Sequence, residues 1–270
     1  MKTYRMIVLD LDGTLTNRDK VITPKTKAAL MRLKEEGGVI VLASGRPTYG
    51  VMPLAEELEL TKTGGFILSF NGGRIINCQT GETVFAKELP VESNRKIIAL
   101  AKEHGVNILT YEKNWIVTPD ASDIYVGKES AINKLEVKQV ENFESYVDFP
   151  VVKFLMLDDD DYLAMVEPKV KAALGRDYSV YRSEPYFLEI LPKGIDKAAS
   201  LERLLSLLGM SKNEMIACGD GYNDLSMIKY AGLGVAMDNA VLPVKQAADY
   251  VTYSNNEDGI AHVVEKFMLS

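Results

Sequence analysis

The stretch VLDLDGTLT, residues 8–16, places Asp10 and Asp12 where an apolar run ends. The run before them, Met6–Leu9, is typical of a strand that is buried on both faces of a parallel sheet. Residues i and i+2 of a strand point to the same side, so the two carboxylates would repel unless a cation lies between them or one keeps its proton. The stretch therefore predicts a strand end that carries a function.

The chain on either side of this stretch alternates between strand and helix patterns. A first βαβαβ run is predicted from MIVL (6–9), a helix (24–36), VIVLA (39–43), a helix (53–60) and FILSF (66–70). The alternation resumes with a helix from Asp196 to Leu208 and the apolar runs MIAC (215–218) and LGVAM (233–237). This order predicts an α/β fold with a Rossmann-like parallel sheet as its core.

The middle of the chain reads differently, with a hairpin after Asn71-Gly72-Gly73 that is predicted to leave the first sheet. Helix and strand patterns of mixed order follow, as expected of an inserted α+β domain. FLEIL, residues 187–191, is predicted to lead back into the core. The expected domains are a catalytic core of residues 1–84 and 188–270 and an inserted cap of residues 85–187.

Composition narrows the classes of partner and location. The net charge of -7, from 31 Lys and Arg against 38 Asp and Glu, argues against a nucleic-acid partner. The apolar run near the N-terminus is too short for a signal peptide, and no run is long enough to span a membrane, so a cytoplasmic location without a membrane partner is expected. The oligomeric state is left open. With only two Cys and two His, a site of carboxylates and lysine is expected.

Polar residues follow each predicted core strand, at the edge where open parallel sheets bind their ligands. They are Asp10 and Asp12, Ser44-Gly45-Arg46 and the segment Gly219–Asp224, with Lys197 opening the helix that Asp196 is expected to cap. Carboxylate oxygens at this density suit Mg²⁺, which binds through a few carboxylates together with phosphate oxygens. The sequence therefore predicts a magnesium-dependent phosphoryl-transfer site.

Each group can be given a role in that chemistry. Asp10 is expected to attack phosphorus, while Asp12 protonates the leaving oxygen and later deprotonates the attacking water. The side chains of Ser44, Lys197 and Asn223 are expected to donate to the phosphate oxygens. Further substrate-binding groups are the backbone N–H groups of Leu11 and Gly45, together with Arg46.

Four ordered segments carry a resemblance to a known family: DLDGT (10–14), LASGRP (42–47), Lys197 within KGIDKAASL, and GDGYND (219–224). They resemble the motifs of the haloacid dehalogenase superfamily, and specifically its Cof-type sugar-phosphate phosphatases. SFNGG (69–73) and the inserted α/β cap are similar as well. The resemblance implies a Mg²⁺-dependent phosphatase in which Asp10 is the nucleophile and Asp12 the acid/base.

The resemblance also implies a metal site made of Asp10, Asp220, the backbone carbonyl of Asp12 and the supporting carboxylate of Asp224. The expected substrate is a small phosphorylated metabolite, such as a sugar phosphate. Two other functions stay open. One is a phosphomutase of related fold, and the other is a phospho-acceptor signalling module, because receiver domains also use a strand-end Asp, a hydroxyl and a Lys.

Overall fold

The computed structural model describes residues 4–269 and has an α/β fold with two sheets. The ends of the predicted core, residues 1–3 and 270, lie outside the described residues. The strands are β1 (Met6–Leu9), β2 (Val39–Ala43), β3 (Phe66–Ser69), β4 (Arg74–Asn77), β5 (Thr83–Ala86), β6 (Asn107–Glu112), β7 (Trp115–Thr118), β8 (Glu136–Gln139), β9 (Phe154–Leu157), β10 (Tyr178–Glu184), β11 (Phe187–Pro192), β12 (Met215–Gly219), β13 (Leu233–Ala236) and β14 (Tyr250–Val251).

Eleven α-helices lie between these strands in the part of the chain that the structure describes. They are α1 (Pro24–Glu35), α2 (Thr48–Glu57), α3 (Leu60–Thr63), α4 (Val91–Glu103), α5 (Ile124–Asn133), α6 (Phe143–Tyr146), α7 (Asp160–Leu174), α8 (Lys197–Leu208), α9 (Leu225–Tyr230), α10 (Leu242–Ala247) and α11 (Gly259–Phe267). Local sequence explains several starts. Thr23 caps α1 by accepting from the Thr26 N–H, with Pro24 at the first helical position, and Asp196 caps α8 by accepting from the Ala199 N–H.

The first sheet has eight strands in the order β14-β13-β12-β1-β2-β3-β4-β5. The strands from β14 through β3 run parallel, and β4 pairs with β3 in the antiparallel direction. β1 lies at the centre between β12 and β2, so the carboxyl ends of all three meet at one edge. This sheet confirms the Rossmann-like core that the sequence predicts.

Both faces of this sheet are covered, which is why its strands read as continuous apolar runs. On one face Ile7 and Leu9 of β1 belong to a core that includes Leu30 of α1. On the other face Met6 and Val8 belong to a core that includes Leu201 of α8. The alternation of strand side chains therefore divides β1 between two apolar layers and leaves its end at the sheet edge.

The second sheet has six strands in the order β10-β11-β9-β6-β7-β8. One face packs Phe154 and Met156 of β9 into a core with residues of α4 and α7. On the other face Leu155 lies in a smaller core with Val126 of α5. The second unit therefore has a sheet and an apolar core of its own.

The chain divides into two compact units, one of residues up to Phe85 with Asp196 onward, and one of Ala86–Ile195. Two expectations from the sequence are wrong in detail. The hairpin β4–β5 does not leave the first sheet but supplies its last two strands at one side. The boundary predicted at residue 188 also moves, because β11 pairs with β9 and β10 of the second sheet, so the inserted unit extends to Ile195.

Within residues 4–269, no helix is both long enough and apolar enough to cross a membrane.

Candidate active site

The central strand positions the first carboxylate of the site. Asp10 directly follows β1, and its N–H donates to the carbonyl of Cys218 at 3.0 Å, which continues the parallel ladder one residue past the strand. The Asp10 side chain is buried at the sheet edge, with 7% of the residue exposed. β1 therefore holds the predicted nucleophile in a fixed position.

Lys197 joins two of the predicted carboxylates from the start of α8. Its Nζ donates to Asp10 Oδ1 at 2.7 Å, to Asp224 Oδ1 at 2.7 Å and to the Ala43 carbonyl at 3.0 Å. Only 1% of this lysine is exposed. Burial by itself would lower its pKa, but the charges and hydrogen bonds of Asp10 and Asp224 outweigh burial and raise it, so the charged form of Lys197 is favoured.

The loop after β12 carries the remaining carboxylates. Asp224 Oδ2 accepts from the N–H groups of Asp220 and Gly221, each at 2.9 Å, so this carboxylate fixes the backbone of its own loop. Asp220 Oδ1 accepts from Thr14 Oγ1 at 2.7 Å. Thr14 was not predicted as a site residue, although it directly follows the DLDG segment.

Oxygens of Asp10, Asp220 and Asp224 lie within 4.8 Å of one another. Burial raises the pKa of Asp10 well above its usual range, and the charges of Asp224 and Asp220 add to that, with Lys197 acting in the opposite direction. Burial likewise raises the pKa of Asp220 to about 6. Three carboxylates against one lysine leave an excess of negative charge, and hard oxygen donors fit a divalent cation such as Mg²⁺.

Asp12 faces a different set of partners. Arg46 donates to both of its carboxylate oxygens, from Nε to Oδ2 at 2.8 Å and from Nη2 to Oδ1 at 2.6 Å, and Lys20 Nζ donates to Oδ1 at 2.7 Å. Burial would raise the pKa of Asp12, but the hydrogen bonds from Arg46 and Lys20 hold it below its usual value. The acidic cluster found among residues 4–269 does not include this carboxylate.

The predicted substrate-binding residues are divided between buried and exposed positions. Ser44 is buried, and its Oγ accepts from the Arg46 N–H at 3.2 Å. The Leu11 carbonyl accepts from Thr16 Oγ1 at 2.9 Å, which closes the loop after β1. Asn223 is exposed, and its Nδ2 donates to Asn71 Oδ1 at 3.1 Å.

Sequence reasoning missed Lys20 and Asn71 as neighbours of the site. Asn71 directly follows the predicted strand FILSF, but Asn71-Gly72-Gly73 also predicts the turn into a hairpin, and that interpretation gives Asn71 no role in the site. Lys20 lies in a polar loop that does not directly follow a predicted strand, so the rule that found the other site residues does not reach it.

Comparisons with known proteins identify the family of the chain. The profile of the haloacid dehalogenase-like hydrolases matches residues 7–264. A relative from Bacillus subtilis, the 5-amino-6-(5-phospho-D-ribitylamino)uracil phosphatase YcsE, is 31% identical over 98% of this chain and 96% of its own.

Two solved structures share the whole fold. A haloacid dehalogenase-like hydrolase from Bacteroides thetaiotaomicron is 50% identical with a TM-score of 0.94, over 97% of this chain and 99% of that one. The sugar phosphatase BT4131, of subclass IIB, is 26% identical with a TM-score of 0.79, over 97% of this chain and 98% of its own. The motifs, the sheet order and these matches together show that the chain belongs to the haloacid dehalogenase-like hydrolases.

Proposed function

We propose that this protein hydrolyses small phosphorylated metabolites, sugar phosphates or similar monoesters, through a phosphoryl group carried on Asp10. It is a phosphoric monoester hydrolase. The single observation that carries the mechanism is the buried contact of Lys197 Nζ with Asp10 Oδ1 at 2.7 Å, inside a cluster of three carboxylates. A strand-end carboxylate held in one orientation by a buried lysine is suited to attack phosphorus.

In the first step an Asp10 oxygen forms a bond to phosphorus and the ester P–O bond breaks. Asp12 gives a proton to the departing oxygen, which leaves as an alcohol. In the second step Asp12 takes a proton from water, the water oxygen bonds to phosphorus, and the bond from phosphorus to Asp10 breaks. The products are the alcohol and inorganic phosphate, and both aspartates return to their starting states.

Asp10 and Asp220 are the side chains proposed to hold Mg²⁺, with the backbone carbonyl of Asp12. Asp224 is proposed to support them, because its two oxygens already accept from Lys197 and from the 220–221 backbone. When bound, the ion supplies positive charge that offsets the carboxylates and the phosphate. The net charge of the acidic cluster supports this assignment.

Charge on the transferring phosphoryl oxygens needs donors that are already in place. We assign this role to Ser44, Asn223 and the N–H groups of Leu11 and Gly45. The three hydrogens of Lys197 already go to Asp10, Asp224 and the Ala43 carbonyl, so we assign Lys197 a contribution through its positive charge. Asn223 is exposed while its neighbour Asp224 is buried. This exposure supports the assignment of Asn223 as a residue that contacts substrate. Arg46 is assigned to Asp12 rather than to phosphate in the state described, since both hydrogen bonds of its side chain are to that carboxylate.

The second unit, Ala86–Ile195, is proposed to set substrate specificity. The relatives support a substrate class and not one compound: YcsE is named for a phosphorylated ribitylaminouracil and BT4131 for a sugar phosphate activity. Both names describe phosphate esters of polyhydroxylated small molecules. We propose the same class for this chain.

A screen of phosphorylated metabolites tests the proposal, with inorganic phosphate measured in Mg²⁺ and in EDTA. Release of phosphate that requires Mg²⁺ is expected for some sugar phosphates, and for p-nitrophenyl phosphate as a generic substrate. Formation of an isomer without free phosphate would instead indicate a mutase, and labelling by one equivalent without turnover would indicate a signalling module.

Asp10→Asn is expected to lower turnover about 1000-fold or more, because the amide is a poor nucleophile. The fold should be retained, as judged by circular dichroism, since the amide keeps the size of the side chain. Asp161→Asn, an exposed aspartate at the start of α7, is the matched control and should behave as wild type. Turnover near the wild-type level in Asp10→Asn would contradict the mechanism.

A further inference from the structure

The segment after β3 has an unusual backbone. Phe70 and Asn71 adopt left-handed φ angles of 53° and 55°, and Gly72 follows at 103°. Consecutive non-glycine residues with positive φ are uncommon, and such strain persists only where the surroundings hold it. Here the Phe70 N–H donates to the Arg46 carbonyl at 3.0 Å, and Ser200 Oγ donates to the Gly72 carbonyl at 2.7 Å.

The Asn71 backbone fixes one predicted phosphate donor. Its N–H donates to the Ser44 carbonyl at 2.9 Å. In a planar trans peptide the carbonyl and the following N–H point in opposite directions. Because the Ser44 carbonyl points toward Asn71, the N–H of Gly45 points in the opposite direction. The hydrogen bond from the Asn71 N–H to the Ser44 carbonyl therefore fixes the orientation of the Gly45 N–H.

The Asn71 side chain fixes a second donor. Its Oδ1 accepts from Asn223 Nδ2 at 3.1 Å, which links the loop after β3 to the loop after β12. Its amide also lies close against Gly45, where an added Cβ would be 3.2 Å from Asn71 Nδ2. One residue thus touches the two loops that carry predicted donors.

We propose that Asn71 is a positioning residue for phosphoryl transfer, which sets the Gly45 N–H through its backbone and the Asn223 amide through its side chain. The inference rests on the phosphatase function proposed above. Donors aimed at the transferring oxygens act mainly on the transition state, so their orientation affects kcat more than KM. Asparagine suits both tasks, since it tolerates a left-handed backbone and carries an amide.

Asn71→Gly separates the two tasks. Glycine adopts this φ freely, so the backbone contact with Ser44 remains and only the amide is removed. We expect kcat on p-nitrophenyl phosphate in Mg²⁺ to fall about 10- to 100-fold, with KM changed less than about threefold. The melting temperature should stay the same or rise. Glu59→Gly, at an exposed residue with φ of 53°, is the matched control for the backbone change and should keep the wild-type kcat.

A double-mutant cycle with Asn223→Ala tests whether Asn71 acts through its partner. If it does, Asn71→Gly should cost much less in the Asn223→Ala background than in wild type. A merely structural residue would lower the melting temperature and add its full effect in both backgrounds. A wild-type kcat in Asn71→Gly, or fully independent effects in the cycle, would overturn the inference while the phosphatase function stands. Absence of phosphate release from wild type would remove the proposed function, and this inference with it.

Discussion

Asp12 shows how neighbouring side chains select the form of a catalytic carboxylate. Arg46 and Lys20 supply three hydrogen bonds to it, and these keep its pKa low against the effect of burial. The ionised form is the one needed to take a proton from water. To serve as an acid, Asp12 must also carry a proton. Its cationic partners therefore oppose its role as an acid and support its role as a base.

Lys20 is therefore expected to favour the role of Asp12 as a base over its role as an acid, because its hydrogen bond and charge lower the pKa of Asp12. Lys20→Met should raise the ratio of kcat for an alkyl phosphate, such as a sugar phosphate, to kcat for p-nitrophenyl phosphate about 10-fold, because the alkyl ester needs a protonated Asp12 and nitrophenolate leaves without protonation. Parallel kinetics on the two substrates measure the ratio. Lys25→Met, at an exposed lysine of α1, is the control. Equal losses on both substrates would argue against a role through Asp12.

Among the elements, the loop after β1 depends on a glycine. Gly13 has φ of 89°, and an added Cβ would lie 2.3 Å from Asp220 Oδ2. Gly13→Ala is expected to displace Asp220 and weaken Mg²⁺ binding about 10-fold or more, as seen in the Mg²⁺ concentration needed for half-maximal activity. It should also lower the melting temperature.

Gly81→Ala separates strain from displacement in that experiment. Gly81 has a similar φ of 73°, but no atom lies within 4 Å of its added Cβ. Its alanine variant should lose about 1 kcal/mol of stability from backbone strain and keep the wild-type Mg²⁺ dependence. Unchanged Mg²⁺ dependence in both variants would show that Gly13 does not act through Asp220.

Some strands could be predicted from apolar sequence patterns, and the sheet to which one strand belongs could not. β1, β2 and β12 could be predicted because strands buried on both faces read as unbroken apolar runs. β11 has a similar apolar sequence, FLEILP, and all six of its residues are buried, but it belongs to the second sheet. Its pairing with β9 and β10 is a contact between separate segments, which apolar periodicity alone does not encode.

At the scale of the whole molecule, the site joins residues that are far apart in the sequence: Lys197 and Asp10 are 187 positions apart and Asp220 and Thr14 are 206 positions apart. This convergence could be predicted, since parallel strands bring their carboxyl ends to one edge. The partners of Asp12 could not, because loop side chains follow no periodicity and Arg46 could equally have pointed toward substrate. Asn71 directly follows the predicted strand FILSF, but its contacts with Ser44 and Asn223 depend on a left-handed turn that a strand end does not predict.

Bringing these carboxylates together also lowers the free energy of unfolding of the whole protein. Without metal, burial raises the pKa of Asp10 well above its usual range and that of Asp220 to about 6. The unfolded chain releases both protons at about pH 4, whereas native Asp220 keeps its proton up to about pH 6 and native Asp10 also keeps its proton above the usual range. The native state then binds more protons than the unfolded state, and this contribution makes stability fall as the pH rises through that window. Asp12, whose pKa is lowered, contributes in the opposite direction at lower pH.

Asp220→Asn isolates one part of this effect. In EDTA its melting temperature should exceed that of wild type at pH 7, and the difference should shrink toward pH 4, where the wild-type carboxyl is protonated. Excess Mg²⁺ should reverse the order, because wild type gains about 2.7 kcal/mol when the free ion is at 100 times its dissociation constant and the variant gains less. Asp161→Asn should follow wild type under all conditions. If Mg²⁺ stabilised wild type and Asp220→Asn equally, Asp220 would not be a ligand, because a side chain that holds the ion cannot be replaced without weakening its binding.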